Sequence, residues 1–151
     1  MKFFLVQSAF AAAALFAVSS PSQAQSAAAS TAVPAAESRV VYHVSEVASL
    51  RDALNSINNH ISTNPNTRVT LLANGRGVLG LVSGERDRQG DYASTISGLQ
   101  AKGVKFVACS MAMKKNNIDA STLVANVSTV QSGVVEITRL QTQEQYAYIK
   151  P

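Results

Sequence analysis

From residue 39 onward, short apolar runs alternate with segments in which apolar residues recur every three or four positions. The runs are rich in β-branched and aromatic residues and therefore predict β-strands, which comprise residues 39–44, 68–73, 104–108, 126–130 and 145–149. The segments between them predict amphipathic helices. The clearest helix follows the first strand, and its apolar face consists of Val47, Leu50, Leu54, Ile57 and Ile61.

Regular alternation of strand and helix is typical of parallel strands joined by right-handed crossovers, with helices on both faces of the sheet. We therefore predict an α/β fold, a three-layer α/β/α sandwich with a mainly parallel sheet of about five strands, similar to flavodoxin-like and Rossmann-like folds. Reactive groups gather at the carboxyl ends of the strands in such sheets. His43, the turn at residues 74–77 and Cys109 all fall at such ends.

The amino-terminal residues have a different pattern. Lys2 precedes an apolar stretch, residues 3–18, and Pro21 is followed by the small-x-small triplet that ends at Ala24. These features predict a signal peptide, residues 1–24, cleaved after Ala24, and a periplasmic location. The stretch is shorter than the roughly 20 residues of a membrane span, so no membrane attachment is expected after cleavage. Residues 25–38 are rich in Ala and Ser and predict a flexible leader, which leaves one domain, residues 39–151.

Charge and composition exclude several classes of function. The formal net charge is +4, and basic residues are interspersed with acidic ones, as at residues 85–88. No basic run carries interleaved aromatic residues, so we expect no nucleic-acid binding. One cysteine and two distant histidines predict neither a zinc site nor any other metal site, and no motif indicates a cofactor. Asp87 and Asp91 lie in a predicted polar loop, residues 83–91, and need no special role.

Cys109 is the only cysteine, and it follows a predicted strand and precedes a predicted helix, residues 110–115. A thiol at that junction meets the positive end of the helix dipole, which favours the thiolate. We therefore expect the sulfur to emerge at the rim of the sheet within reach of solvent. The alternative is an inert buried cysteine at the edge of the core.

Two other groups are candidates for the same site. His43 ends the first strand and is predicted to lie near Cys109, where a Cys–His pair would activate the thiol. Gly75, Arg76 and Gly77 form a turn that is predicted to bind an anion together with Lys114, although the turn lacks phosphate-loop spacing. An ordinary strand-to-helix turn is the alternative for the three turn residues.

Several of these segments, taken in order, resemble the secreted branch of the DsrE/DsrF-like family. The resemblance is carried by Val41-Tyr42-His43-Val44, the glycine-containing turn after the second strand, the stretch at residues 104–118, and the two segments at residues 132–137 and 146–151. It implies a small α/β sandwich that assembles into oligomers. In the cytoplasmic members a cysteine carries sulfur in a relay, and Cys109 matches that position.

The resemblance thus predicts a periplasmic sulfur-relay protein that holds sulfane sulfur as a persulfide on Cys109. The expected partners are further copies of the chain in a homo-oligomer and a protein that donates or accepts sulfur. The alternative is a non-catalytic binding or assembly module of the same fold. The sequence leaves open whether the chain is an enzyme.

Overall fold

The computed structural model describes residues 37–151, which belong to one compact unit. The predicted signal peptide, its cleavage site and residues 25–36 of the predicted leader lie outside the described residues. Glu37 and Ser38, the last two residues of that leader, contact the domain. The Glu37 carboxylate accepts hydrogen bonds from Arg68, and the backbone oxygen of Ser38 accepts one from the Arg68 amide. Among residues 37–151 no helix is long and apolar enough to span a membrane.

The strands and helices alternate as the sequence predicts. In chain order the strands are β1 (Arg39–Val44), β2 (Arg68–Ala73), β3 (Arg86–Asp87), β4 (Gly90–Asp91), β5 (Lys105–Cys109), β6 (Ser128–Val130) and β7 (Ala147–Ile149). The α-helices are α1 (Leu50–Thr63), α2 (Tyr92–Ala101), α3 (Ser110–Lys115) and α4 (Gly133–Gln143). Short 3₁₀ segments cover Val47–Ser49, Gly75–Leu81 and Ala120–Thr122.

Five strands form one parallel sheet in the order β6-β5-β2-β1-β7. β2 is central and almost wholly buried, which explains why its sequence is nearly all apolar. The edge strands β6 and β7 have three residues each, and short edges offer little backbone for unwanted pairing. The predicted sandwich with a five-stranded parallel sheet is therefore confirmed.

The two faces of the sheet carry two separate cores. One face packs against α1 and α2, and its core includes Phe106 and Leu71. The other core is smaller, and α4 supplies its helical members. It consists of Val41, Leu72, Val107, Ile137, Leu140 and Tyr146. Because side chains alternate along a strand, this α4 face also receives the residues two positions after Val41, Leu72 and Val107.

The predicted loop at residues 83–91 is more ordered than expected. It contains the antiparallel pair β3 and β4, and the Asp91 side chain caps α2 by accepting a hydrogen bond from the Ser94 amide. The loop prediction did not include this structural role of Asp91. A cap of this type satisfies one of the amides that a helix start leaves without a partner.

Asp87 is held by Arg51, which lies on α1 and is buried. The guanidinium donates to both carboxylate oxygens of Asp87, at 2.9 and 3.0 Å, and also to Thr95 Oγ1 and the Gly90 backbone oxygen. Its carbon lies 4.8 Å from the centre of the Tyr92 ring. This clamp ties α1, the β3–β4 hairpin and α2 together. The hydrogen bonds from Arg51 hold the pKa of Asp87 below its usual value.

We predict that Arg51→Met lowers the free energy of unfolding by roughly 2–4 kcal/mol, because it removes all four hydrogen bonds and leaves Asp87 without its cation. Urea unfolding at pH 7 measures the loss. Arg68→Met is the matched control, since Arg68 pairs with Glu37 at the surface and its loss should be clearly smaller. Equal losses in the two variants would contradict the clamp.

The free energies of unfolding of wild type and Arg51→Met should differ less in acid than at pH 7. The folded-state pKa of Asp87 is lowered, so the stabilisation by the pair is complete above the usual pKa of 3.8. It is lost as the pH falls through the lowered folded-state pKa. The gap between wild type and Arg51→Met should therefore be constant from pH 7 to about pH 5 and narrow below about pH 4.

A further prediction concerns Gln145, which follows α4 with a φ of 58°. This left-handed conformation is unfavourable for a residue with a Cβ and is ordinarily taken by glycine at a helix end. Gln145→Gly should therefore stabilise the fold by about 1 kcal/mol in urea unfolding. Gln143→Gly, inside the last turn of α4, is the control and should destabilise it by about 0.5–1 kcal/mol. If both variants changed the free energy of unfolding in the same direction, the left-handed conformation of residue 145 would be contradicted.

Candidate functional site

Four polar side chains lie side by side at the carboxyl edge of the sheet, one at the end of each of four neighbouring strands. Cys109 ends β5, Asn74 follows β2, His43 lies near the end of β1, and Tyr148 lies in β7. These strands are adjacent in the order β5-β2-β1-β7, and their side chains alternate so that all four share the α4 face. We call this group the carboxyl-edge row.

Cys109 lies where two helices begin. It is the residue before α3, and its Sγ accepts a hydrogen bond of 3.2 Å from the amide of Gly133, the first residue of α4. The Ser132 side chain makes no bond to this helix start, so the sulfur is the side-chain acceptor at the first amide of α4. The predicted place of the thiol, at a strand end and a helix start, is what the structure shows.

The expectation that the sulfur reaches solvent is not met in this conformation. Cys109 is only 6% exposed, because the start of α4 lies against it. A Cβ added to Gly133 would stand 3.2 Å from Cys109 Cβ, 3.3 Å from Asn74 Cβ and 2.9 Å from Leu72 Cδ2. The helix approaches the two strands this closely only because residue 133 has no side chain.

His43 is fixed by its two neighbours in the row. Its Nε2 lies 2.9 Å from Asn74 Oδ1, and its Nδ1 lies 2.7 Å from the Tyr148 hydroxyl. Because the carboxamide oxygen only accepts, Nε2 is the donor to Asn74, and Nδ1 shares a hydrogen bond with the Tyr148 hydroxyl. Both ring nitrogens are thus occupied, and His43 makes no hydrogen bond to Cys109. Asn74 stands between the imidazole and the thiol.

The glycines of the turn at residues 75–77 have a packing role. A Cβ on Gly77 would meet the backbone oxygen of Val44 at 2.4 Å, and one on Gly75 would meet the Ser45 oxygen at 2.8 Å. The Gly77 amide already donates to the Ser45 and Asn74 oxygens. That amide is therefore not free for an anion, whereas the side chains of Arg76 and Lys114, two of the predicted anion-binding residues, are exposed.

Arg76 and Lys114 project from neighbouring segments. Asn116, just after α3, donates from Nδ2 to the Gly75 backbone oxygen, which brings the end of α3 against the turn. Arg76 is exposed and approaches Glu46 only to 4.0 Å. Lys114 is exposed and, within residues 37–151, has no carboxylate within salt-bridge distance. Anion binding by these two side chains stays a prediction.

The site offers the chemistry of a single sulfur atom. In the described part of the chain, no three His, Cys, Asp or Glu residues are grouped so that they could hold a metal ion. A peptide amide at the start of an 11-residue helix donates to the sulfur, and such a donor binds an anionic sulfur more strongly than a neutral one. A groove of about 280 Å³ beside the row is lined by His43, Tyr148 and Val134 among others.

Sequence reasoning missed two members of the row. Asn74 was part of a candidate turn, but its bond to His43 has no signal in the sequence. Tyr148 does have a signal in the sequence. Alternation of side chains in the last strand puts it on the same face of the sheet as Val41 and His43, and Ile149 on the opposite face.

Comparisons with known proteins agree with this architecture. A profile of the DsrE/DsrF-like family matches residues 12–151. A search of curated protein sequences finds no significant match. The solved structure of MTH1491 from Methanobacterium thermoautotrophicum, a protein of unknown function, is similar with 31% identity and a TM-score of 0.67, over 76% of this chain and 99% of that one.

The crystal structure of the E. coli protein YchN is also similar, with 16% identity and a TM-score of 0.63, over 76% of this chain and 99% of that one. At that identity the likeness concerns the fold alone. The family profile covers nearly the whole sequence, including every described strand and helix. The chain therefore belongs to the DsrE/DsrF-like family.

Proposed function

We propose that this protein carries sulfane sulfur on Cys109 as one member of a sulfur relay. The observation that carries the proposal is the hydrogen bond from the Gly133 amide to Cys109 Sγ, made by the first residue of α4. A persulfide is anionic near neutral pH, and a helix start with free amides stabilises an anion. Family membership supports the role, because the cysteine of sulfur-relay members occupies the matching position.

The transfer needs no cofactor. The Cys109 thiolate attacks the outer sulfur of a donor persulfide, a bond forms between Sγ and that sulfur, and the sulfur–sulfur bond of the donor breaks. The donor leaves as a thiolate that keeps the electron pair. No net oxidation occurs, and the reverse of the same step passes the sulfur to an acceptor thiol.

Loading Cys109 requires the start of α4 to move. The sulfur is buried beneath Gly133, and an added sulfur atom needs room next to Leu72 and Asn74. Residues 131–133, which cover the sulfur, are held to β5 and α3 by few hydrogen bonds. The Gln131 oxygen accepts one from the Met111 amide at 3.3 Å, and the Gly133 amide donates one to the sulfur. Local opening of such a segment costs much less than unfolding.

The proposed setting is the periplasm, and the proposed assembly is a homo-oligomer. The amino-terminal pattern of Lys2, an apolar stretch and a small-x-small site supports export. The family resemblance supports the oligomer. A protein that donates or accepts sulfur is the further partner that a relay needs.

The alternative, a non-catalytic binding module, also has an observation in its favour. Although Cys109 contacts the start of α4, its position at the end of β5 also lets it pack into the larger core cluster with Ala108 and Ala112, as a buried small residue would. A module of this kind would keep Cys109 covered at all times. Access to the sulfur therefore separates the two functions.

We predict that incubation with inorganic polysulfide adds the mass of one sulfur atom to the protein. Intact-mass spectrometry measures the adduct, and dithiothreitol should remove it. Cys109→Ser, which keeps the size of the side chain, should show no adduct. A wild-type protein that stays unmodified, or an adduct that survives in Cys109→Ser, would contradict the sulfur-carrier function.

We also predict that Gly133→Ala speeds alkylation of Cys109 by iodoacetamide in the folded protein. The new Cβ collides with Leu72 and Cys109 and pushes the helix start away, so the rate should rise roughly fivefold or more. Gly98→Ala, on the exposed side of α2 with open space around it, is the matched control and should leave the rate unchanged. If both variants stay unreactive until urea unfolds them, the binding module is the better description.

A further inference from the structure

The exposed large apolar side chains of residues 37–151 all surround the start of α4. They are Met111, Val134, Val135 and Tyr148, with exposed fractions of 60%, 59%, 65% and 40%. Scattered single apolar residues are normal at a protein surface, whereas a group at one place marks an interaction site. Because the start of α4 also covers Cys109, this group lies directly around the buried sulfur.

The members of the group are connected through the backbone. The Met111 amide donates to the Gln131 oxygen, two residues before Gly133. Val134 and Tyr148 line the 280 Å³ groove beside His43, and Val134 with Val135 lines a second groove of about 440 Å³ along the outer side of α4. The two grooves therefore share Val134, and the backbone bond of Met111 places the start of α3 next to the segment that precedes α4.

Two lysines give this surface its charge. Lys114 and Lys115 lie three and four positions after Met111 on α3, which puts them on the same side of the helix as Met111. Both are exposed, and neither has a carboxylate partner in the part of the chain that the structure describes. We call Met111, Lys114, Lys115, Val134, Val135 and Tyr148 the α3–α4 rim.

The charged groups of α4 and its end are paired with one another. Arg139 donates to both Glu136 and Glu144, so one positive charge is shared by two carboxylates and the three groups together keep one negative charge. The hydrogen bonds of Arg139 also hold the pKa of Glu136 below its usual value, which keeps that carboxylate ionised and paired. The rim is left with an apolar centre and an unpaired positive side.

We propose that the α3–α4 rim is a docking site for an acidic partner protein, one that presents apolar side chains flanked by carboxylates. A second copy of this chain docked by two-fold symmetry is a poorer occupant, because it would bring two lysine pairs into one small interface. Carboxylates of a partner pair with Lys114 and Lys115 while its apolar side chains cover Val134 and Val135. The inference goes beyond the sulfur-carrier function, since docking does not need the thiol.

The test uses a designed probe. An amphipathic helical peptide with leucines at i, i+3, i+4 and i+7 and glutamates on the flanking positions is titrated into the ¹⁵N-labelled protein. A second peptide with lysines in place of the glutamates is the control. We expect the acidic peptide alone to shift the amide signals of residues 111, 131–135 and 148, with binding that weakens as salt is added.

Variants locate the contact. The double substitution Lys114→Glu/Lys115→Glu should weaken binding of the acidic peptide about tenfold, and Val134→Ser/Val135→Ser should do the same. Lys102→Glu/Lys105→Glu, a matched charge reversal at the opposite edge of the sheet, should leave the affinity unchanged. Cys109→Ser should bind like wild type, so a failed persulfide test and a failed docking test are separate results.

Three results would overturn the proposal. Equal binding of the two peptides would show that charge does not select the partner, and equal weakening by the two lysine pairs would show that the rim is not the contact. Sedimentation velocity of the protein alone supplies the third. If wild type self-associates and Val134→Ser/Val135→Ser dissociates it, the rim is an interface between copies of this chain.

Discussion

The close approach of α4 to the ends of β2 and β5 is the constraint on which the site depends. Glycine at position 133 allows the helix start to lie against Leu72, Asn74 and Cys109, with less room than one Cβ would need. The Cys109 sulfur then accepts a hydrogen bond from the first amide of α4, which the side chain of the preceding Ser132 does not cap. The same contact sets the burial of the thiol, its polarity and the position of the apolar side chains that follow on α4.

The opposite end of the row is fixed by polar rather than steric means. His43 joins Asn74 to the Tyr148 hydroxyl, so β2, β1 and the short edge strand β7 are linked through side chains as well as through backbone hydrogen bonds. Asn74 contacts the helix start on one side and the imidazole on the other. A shift of α4 that exposes the sulfur therefore also disturbs Asn74 and, through it, the hydrogen bond to His43.

The sequence predicts the order of strands and helices well because each element has its own local pattern. The alternation of apolar runs and amphipathic segments is enough for a parallel sheet, and the end of β5 at Cys109 follows from the change in pattern there. What the sequence could not predict depends on distant residues. Arg51 and Asp87 are 36 positions apart, and no feature of the neighbouring sequence indicates that Arg51 is buried. The cover over Cys109 comes from residue 133, which belongs to a different element.

The glycine turn at residues 75–77 shows why a functional motif and a packing motif are hard to separate from sequence. Two glycines flanking an arginine can let the backbone approach an anion, yet here the absence of a Cβ at both glycines makes room for the backbone oxygens of Val44 and Ser45. The Gly77 amide is taken up by backbone oxygens, and the turn holds Asn74 and Arg76 at the carboxyl edge. Positive charge reaches this edge through side chains, Arg76 and the lysines of α3, and side-chain charge is the kind that a protein partner can pair with.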